Sequence, residues 1–153
     1  MHITLLCVGT LKTPWIIAGC TEYLRRIAHD GRLTAIEVPA SKQKDPVKQQ
    51  AEESVALLKK LEKTAGEVWV LDERGKAMTS QVFSDALGVA ADHGTSVTFV
   101  IGGAYGLTDA VREHADRIVR LSEMTLPHEL CRLVFLEQLY RALQIRKGTG
   151  YHH

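Results

Sequence analysis

Residues 97–140 constrain the fold more tightly than any other part of the chain. They begin with VTFVI, an uninterrupted run of β-branched and aromatic residues that stops at Gly102-Gly103. A run without polar alternation predicts a buried strand, and the glycines predict a sharp turn at its carboxyl end. Residues 117–121 predict a second short strand. The loop SEMTLPH follows it, with Pro127 standing where a helix starts. Two such loops at the carboxyl ends of neighbouring strands frame a ligand cleft.

The preceding chain repeats the alternation. Residues 3–8 predict strand one, closed by Gly9, and a helix opens at Thr13 or Pro14 with Ile16, Ile17, Tyr23, Leu24 and Ile27 on its apolar side. Residues 34–38 predict strand two and the lysine-rich stretch ASKQKDPVK a loop. Pro46 starts a second helix, which Gly66 ends. Residues 68–71 predict strand three and residues 72–76 a polar loop, after which Thr79 or Ser80 caps a third helix ending near His93-Gly94. A short helix over residues 108–115 follows the glycine loop. Strands alternating with helices predict a mainly parallel α/β sheet, and 153 residues suffice for one core. A single domain over residues 1–153 is expected.

The last helix, residues 127–146, carries Leu130, Leu133, Val134, Leu136, Leu139, Tyr140, Leu143 and Ile145, which cover more than one stripe. Its second apolar face either meets another subunit or is buried deep within the monomer. Glu137 and Arg141, spaced i, i+4, most simply form an ion pair.

Composition narrows the class. With 45% apolar and 24% charged residues the chain reads as an ordinary globular protein, and no apolar run approaches the roughly 18 residues a membrane span needs. MHITLLCVGT runs straight into a strand pattern, so no signal peptide, a cytoplasmic location and no membrane partner are expected. Cys7, Cys20 and Cys131 are odd in number and scattered through apolar stretches, which predicts reduced core thiols and no metal site. A net charge of +1 leaves nucleic acid open, because a local basic patch decides that question.

Single motifs leave alternatives open. Gly102-Gly103-Ala104-Tyr105-Gly106 is either a turn or a nucleotide-type site, and it lacks the spacing and early position of a dinucleotide fingerprint, which disfavours a dehydrogenase. Asp72-Glu73 is either a ribose or metal ligand or a solvated strand end, and His128 is either a base or a donor to a carbonyl. The tail RKGTGYHH combines cations, a phenol ring and imidazoles. It either clamps a phosphate and stacks on a base, or is a frayed end whose last histidines belong to a tag.

Taken together, FVIGGAYGL, LSEMTLPHEL, LVFLEQLYRAL and the closing GYHH, with VGTLK, TEYLRRI and IEVPASK nearer the start, resemble the small single-domain SPOUT methyltransferases of the RlmH family, which methylate a pseudouridine of bacterial 23S rRNA at N3. The resemblance covers essentially the whole chain. It implies the α/β-knot fold, a mainly parallel sheet flanked by helices with a C-terminal trefoil knot, a homodimer, and S-adenosylmethionine as cofactor. It departs from the family at Gly150, where a proline is usual, and at His153, where a basic residue is usual.

By matching positions, the resemblance implies a cofactor pocket made of Leu71, Gly102, Leu121, Ser122, Glu123, Met124, Thr125 and Leu126. An adenine needs a flat apolar slot with backbone donors and acceptors, and a sulfonium should not face a cation, so such a set makes chemical sense. Tyr151 and His152 are the expected catalytic residues, acting on the RNA base from the tail of the second subunit. Arg132, Arg141 and Lys147 are the phosphate candidates. The implied reaction is a direct displacement in which alignment does most of the work, with 23S rRNA, in the assembled ribosome, as partner. A ribosome- or nucleotide-binding module of the same fold without catalysis is the alternative.

Overall fold

The computed structural model describes residues 1–152; His153, the last residue of the tail, lies outside the described residues. Among the described residues the elements alternate as β1 (His2–Val8), α1 (Pro14–Ala28), β2 (Arg32–Val38), α2 (Pro46–Leu61), β3 (Glu67–Ala77), α3 (Ser80–Asp92), β4 (Val97–Ile101), α4 (Asp109–Glu113), β5 (Arg117–Arg120) and α5 (His128–Lys147). Local chemistry sets many of the boundaries. Prolines open α1 and α2, the Asp45 carboxylate accepts from Lys48 N at 2.8 Å, and the Thr79 hydroxyl accepts from Val82 N at 3.2 Å. Gly148 ends α5 at φ +66°, a conformation that suits a residue without a Cβ.

The five strands form one sheet in the order β2-β1-β4-β3-β5, and every pairing is parallel. The expected α/β architecture is therefore what the chain adopts. Side chains alternate across the sheet. Ile3, Leu5, Trp69, Leu71, Phe99 and Ile101 face a layer containing Ile16 and Cys20 of α1, Phe83 and Leu87 of α3, and Phe135 of α5. Leu6, Val8, Val70 and Val100 face the other way, onto Leu57 and Leu61 of α2 and Val111 of α4. Central β4 is buried along its whole length, as its unbroken apolar run requires. Among the described residues no helix is long and apolar enough to cross a membrane.

Helix α5 lies between α1 and α3. The Phe135 ring sits 4.7 Å from that of Phe99, and Leu136, Leu139 and Ala142 are buried beside it. Leu133, Val134, Tyr140 and Ile145 remain half-buried. The stripe of Phe135, Leu136, Leu139 and Ala142 is buried within the monomer, as one reading of the two-faced helix has it.

Strand β3 differs from expectation. Residues 72–76 carry a turn composition, yet Leu71 and Lys76 both pair with Val119, so residues 72–75 loop out as a bulge and the strand then resumes against β5. At Gly75 a Cβ would lie 2.7 Å from the Ile118 carbonyl and from Val119 C, so the two backbones touch where the chain leaves β3. Neither partner is a movable side chain. Gly75→Ala should therefore cost about 1–3 kcal/mol through overpacking. Urea unfolding of the variant measures it, and an unchanged midpoint would show that the crossing is looser than described.

Candidate active site

Three segments converge because β3, β4 and β5 are parallel and adjacent: the bulge of β3 after Leu71 and the loops that follow β4 and β5. Residues 72–75, 102–107 and 121–127 surround a cleft of about 750 Å3, within the size range of small-molecule sites. Its floor is apolar. Leu71 and Ile101 stand in register on β3 and β4, and Leu107, packed with the layer on the other side of the sheet, also borders the cleft. The glycine loop closes on itself through Gly106 N, which donates to Gly103 O at 3.1 Å with Gly106 at φ +74°. A Cβ at Gly102 would meet Leu107 at 2.9 Å, so that glycine lets the turn fold tightly against its own floor. From α2, Gln50 Nε2 donates to the carbonyls of Tyr105 at 2.9 Å and Leu107 at 3.1 Å.

The opposite wall is residues 121–127 with the first turn of α5. The Ser122 hydroxyl accepts from Met124 N at 3.0 Å and shapes this loop, while His128 and Cys131 close the cleft behind it. The start of α5 is tied to the start of α1: Glu129 accepts from the Thr13 hydroxyl at 2.6 Å and from Lys12 N, and these bonds hold its carboxyl below the usual range. At the rim the Asp72 carboxylate accepts from Arg112 Nε at 3.0 Å and is largely buried. Asp72 is thus engaged in an ion pair, and Arg112 also pairs with Asp109 at 2.8 Å.

Of the residues expected to hold a cofactor, Leu71, Gly102, Leu121, Ser122, Met124, Thr125 and Leu126 line this one cleft. Glu123 lines an adjoining hollow of about 310 Å3, with Glu73, Arg74 and Arg120. The rest of the lining includes Ile101, Leu107, Gln50 and Cys131, which were not expected from the sequence, and His128, which was read there as a base or a donor to a carbonyl; the carboxyl-end position of Ile101 and the placement of Cys131 one turn after Pro127 were the available signals. The donor set suits S-adenosylmethionine: an apolar floor, backbone groups on two sides, and three arginines that each pair with a carboxylate, Arg112 with Asp72 and Asp109, Arg74 with Asp109 and Arg120 with Glu123.

The phosphate candidates divide. Arg132 is only 4% exposed; its guanidinium donates to Glu37 Oε1 at 2.8 Å and to the carbonyls of Val8 and Gly9. It fastens α5 to the end of β1 and is out of reach of a phosphate, which corrects the expectation drawn from charge and position. Arg141 forms the expected pair with Glu137 at 2.5 Å, and Lys147 contacts Asp30 while staying half-exposed. The tail lies along α5. The Tyr151 ring meets that of Tyr140 edge-on at 5.0 Å, lies 4.9 Å from the Arg141 guanidinium, and its hydroxyl donates to Glu137 at 3.4 Å. Burial and contact with Tyr23 push the Tyr151 phenol up to about 12. Neither Tyr151 nor exposed His152 borders the cleft of its own chain.

Comparison with known proteins fits this geometry. The family described as "Predicted SPOUT methyltransferase" matches residues 1–152, and the chain belongs to it. Among its relatives, the protein named ribosomal RNA large subunit methyltransferase H from Nitratidesulfovibrio vulgaris (strain DSM 19637 / Miyazaki F) is 45% identical over 99% of this chain and 98% of its own. One of the same name from Geobacter sp. (strain M21) is 40% identical over 100% and 99%. The fold is also that of a probable methyltransferase from Bordetella pertussis Tohama I, with a TM-score of 0.58 at 18% identity over 93% of this chain and 94% of that one.

Cys131 offers a check on the cleft wall. Burial pushes its thiol up to about 11 from an ordinary value of 9.0, and that of Cys7 up to about 12. Both are neutral at pH 8. Because the unfolded thiols ionise first, the unfolded chain binds fewer protons between about pH 9 and 11, so this contribution to stability falls as pH rises through that window. Iodoacetamide at pH 8 should label Cys131 far more slowly in the folded protein than in urea. Equal rates, read by mass spectrometry, would mean that the thiol is not sheltered.

Proposed function

We propose that this chain is an S-adenosylmethionine-dependent methyltransferase that acts on N3 of a pseudouridine in 23S rRNA, as a single-domain homodimer in the cytoplasm. The observation that carries the reading is the joint cleft of the glycine loop and residues 121–127, in a chain matching the SPOUT family over residues 1–152. The names of the relatives supply the substrate class, and the resemblance of the sequence supplies the base and the atom. The knotted path comes from the resemblance of the sequence, and the bulge after Leu71, with the close approach of Gly75 to β5, is compatible with it.

S-adenosylmethionine supplies the activated methyl group when bound. Leu71, Ile101 and Leu107 give an adenine an apolar floor, and the backbones of the glycine loop and of residues 121–126 orient it and exclude water. The tail acts on the RNA from the partner subunit. Helix α5 has 20 residues and spans about 30 Å; its first turn borders the cleft and its end carries Tyr151 and His152. A tail so far from its own cleft reaches one only when two α5 helices pack antiparallel, which a two-fold axis provides. The partner's His152 then orients the base or accepts its proton, the partner's Tyr151 offers a ring to stack on, and Arg141 and Lys147 are the cations nearest the phosphates.

The surface supports this pairing. Trp15, 62% exposed, Gly19 and Tyr23 line one side of α1, with Leu133 against Gly19 and Tyr140 beside Tyr23 on α5. Leu139 is fully buried in the core, so the interface belongs to the half-buried stripe and not to that residue. Trp15→Glu and Val134→Glu should each yield folded monomers in sedimentation, because a charge would be buried unpaired at the contact. A dimer that survives in both variants would refute the interface.

The reaction is tested with ribosomes lacking the modification, S-adenosylmethionine and purified protein, with the methylated nucleoside read by mass spectrometry. Wild type should methylate pseudouridine at N3. Removing residues 151–153 should abolish transfer yet leave S-adenosylmethionine affinity within about twofold. Cofactor binding with no methylation by wild type would favour the non-catalytic ribosome-binding module, and full activity of the truncated protein would refute the role of the tail.

A further inference from the structure

Behind the glycine loop, one face of α2 presents Gln50, at the edge of the cleft, and Glu53 and Ser54, which do not line it, spaced i, i+3, i+4. Gln50 holds the Tyr105 and Leu107 carbonyls, and the Ser54 hydroxyl accepts from Thr108 N at 3.1 Å. These contacts fix the far end of the loop. Glu53 lies between them and is only 2% exposed. Its Oε1 accepts from Ser41 N at 2.9 Å and from Gln49 Nε2 at 3.4 Å. Its Oε2 is buried without a partner and points at Gly103, where a Cβ would lie 2.4 Å from it.

A buried carboxylate oxygen without a donor is costly, and one that persists calls for a structural or functional reason, such as a state in which a donor reaches it. The nearest donors are amides of the loop itself. The peptide between Gly102 and Gly103 rotates with little strain and brings Gly103 N–H to face Oε2; turning the next one brings Ala104 N–H there at the cost of the Gly106 N to Gly103 O bond. Each such peptide has its carbonyl on the opposite side, so turning an amide toward Glu53 turns a carbonyl toward the cleft, where it meets a ligand's donors.

We propose that Glu53 is a positioning residue of the cofactor site, whose free carboxylate oxygen captures an amide of the glycine loop when S-adenosylmethionine is bound. The inference rests on the cofactor assignment made above. It makes Glu53 an acceptor held in reserve, coupling the shape of residues 102–104 to occupancy of the cleft without touching the ligand.

The experiment compares wild type, Glu53→Gln and Gly103→Ala by calorimetric titration with S-adenosylmethionine, thermal unfolding without ligand, and amide hydrogen exchange with and without it. In Glu53→Gln the new side chain has one acceptor oxygen, which the Ser41 N–H claims, so its NH2 faces the loop where an acceptor is needed. Gly103→Ala blocks the same oxygen from the loop side without projecting into the cleft. Both variants should bind S-adenosylmethionine at least about tenfold more weakly. Glu53→Gln should melt no lower than wild type without ligand, since it removes a buried unpaired charge. In wild type alone, ligand should slow exchange at residues 103–104. Wild-type affinity in both variants would overturn the proposal. So would weakened binding with ligand-induced protection at residues 103–104 retained, which marks a purely structural role. Failure of wild type to bind at all would instead overturn the cofactor assignment.

Discussion

The backbone of Gly75 rests on that of Ile118 and Val119, and the cleft depends on that contact. It lets β3 bulge outward after Leu71 and resume against β5, which brings residues 72–75 over the end of β5 and directs residues 121–127 into the space beside them. A side chain at residue 75 would push β5 away from β3 and open the wall that the 121–127 loop supplies. The parallel sheet does the rest. Because β3, β4 and β5 run the same way, three segments meet at one place, and β4, buried along its whole length, stands at its centre.

Helix α5 links the cleft to everything else. Phe135, Leu136 and Leu139 fix it in the core, Arg132 fastens it to the end of β1, and Glu129 ties its first turn to α1. These anchors hold His128 and Cys131 at the cleft while the outer stripe of Leu133, Val134 and Tyr140 stays available. One helix thus serves the core, the cleft and the proposed partner surface, which is why it is apolar on more than one face.

Much of the fold was legible because local chemistry and tertiary packing agree. The run VTFVI marked β4 to the residue, the prolines marked the starts of α1 and α2, and Thr79 capped α3 as expected. The bulge after Leu71 was not legible, since DERGK carries a turn composition and only pairing with β5 makes its end a strand. Arg132 read as a free cation because nothing local marks an arginine whose partners, Val8, Gly9 and Glu37, lie far back in the chain. The surroundings of Glu53 are equally non-local. The cleft residues 121–126 entered through resemblance to a family and not through any pattern of their own, for backbone-lined sites leave little chemistry in the side chains.

The central claim is that one cleft, built from the ends of β3, β4 and β5, holds the methyl donor. Backbone amide resonances recorded during titration with S-adenosylhomocysteine, the product that keeps the adenosine and loses the methyl, test it most directly. Shifts should cluster at residues 71–72, 101–107 and 121–128, with little change along β2 or at the exposed end of α3. A perturbed set centred elsewhere, or none at saturating ligand, would contradict the account.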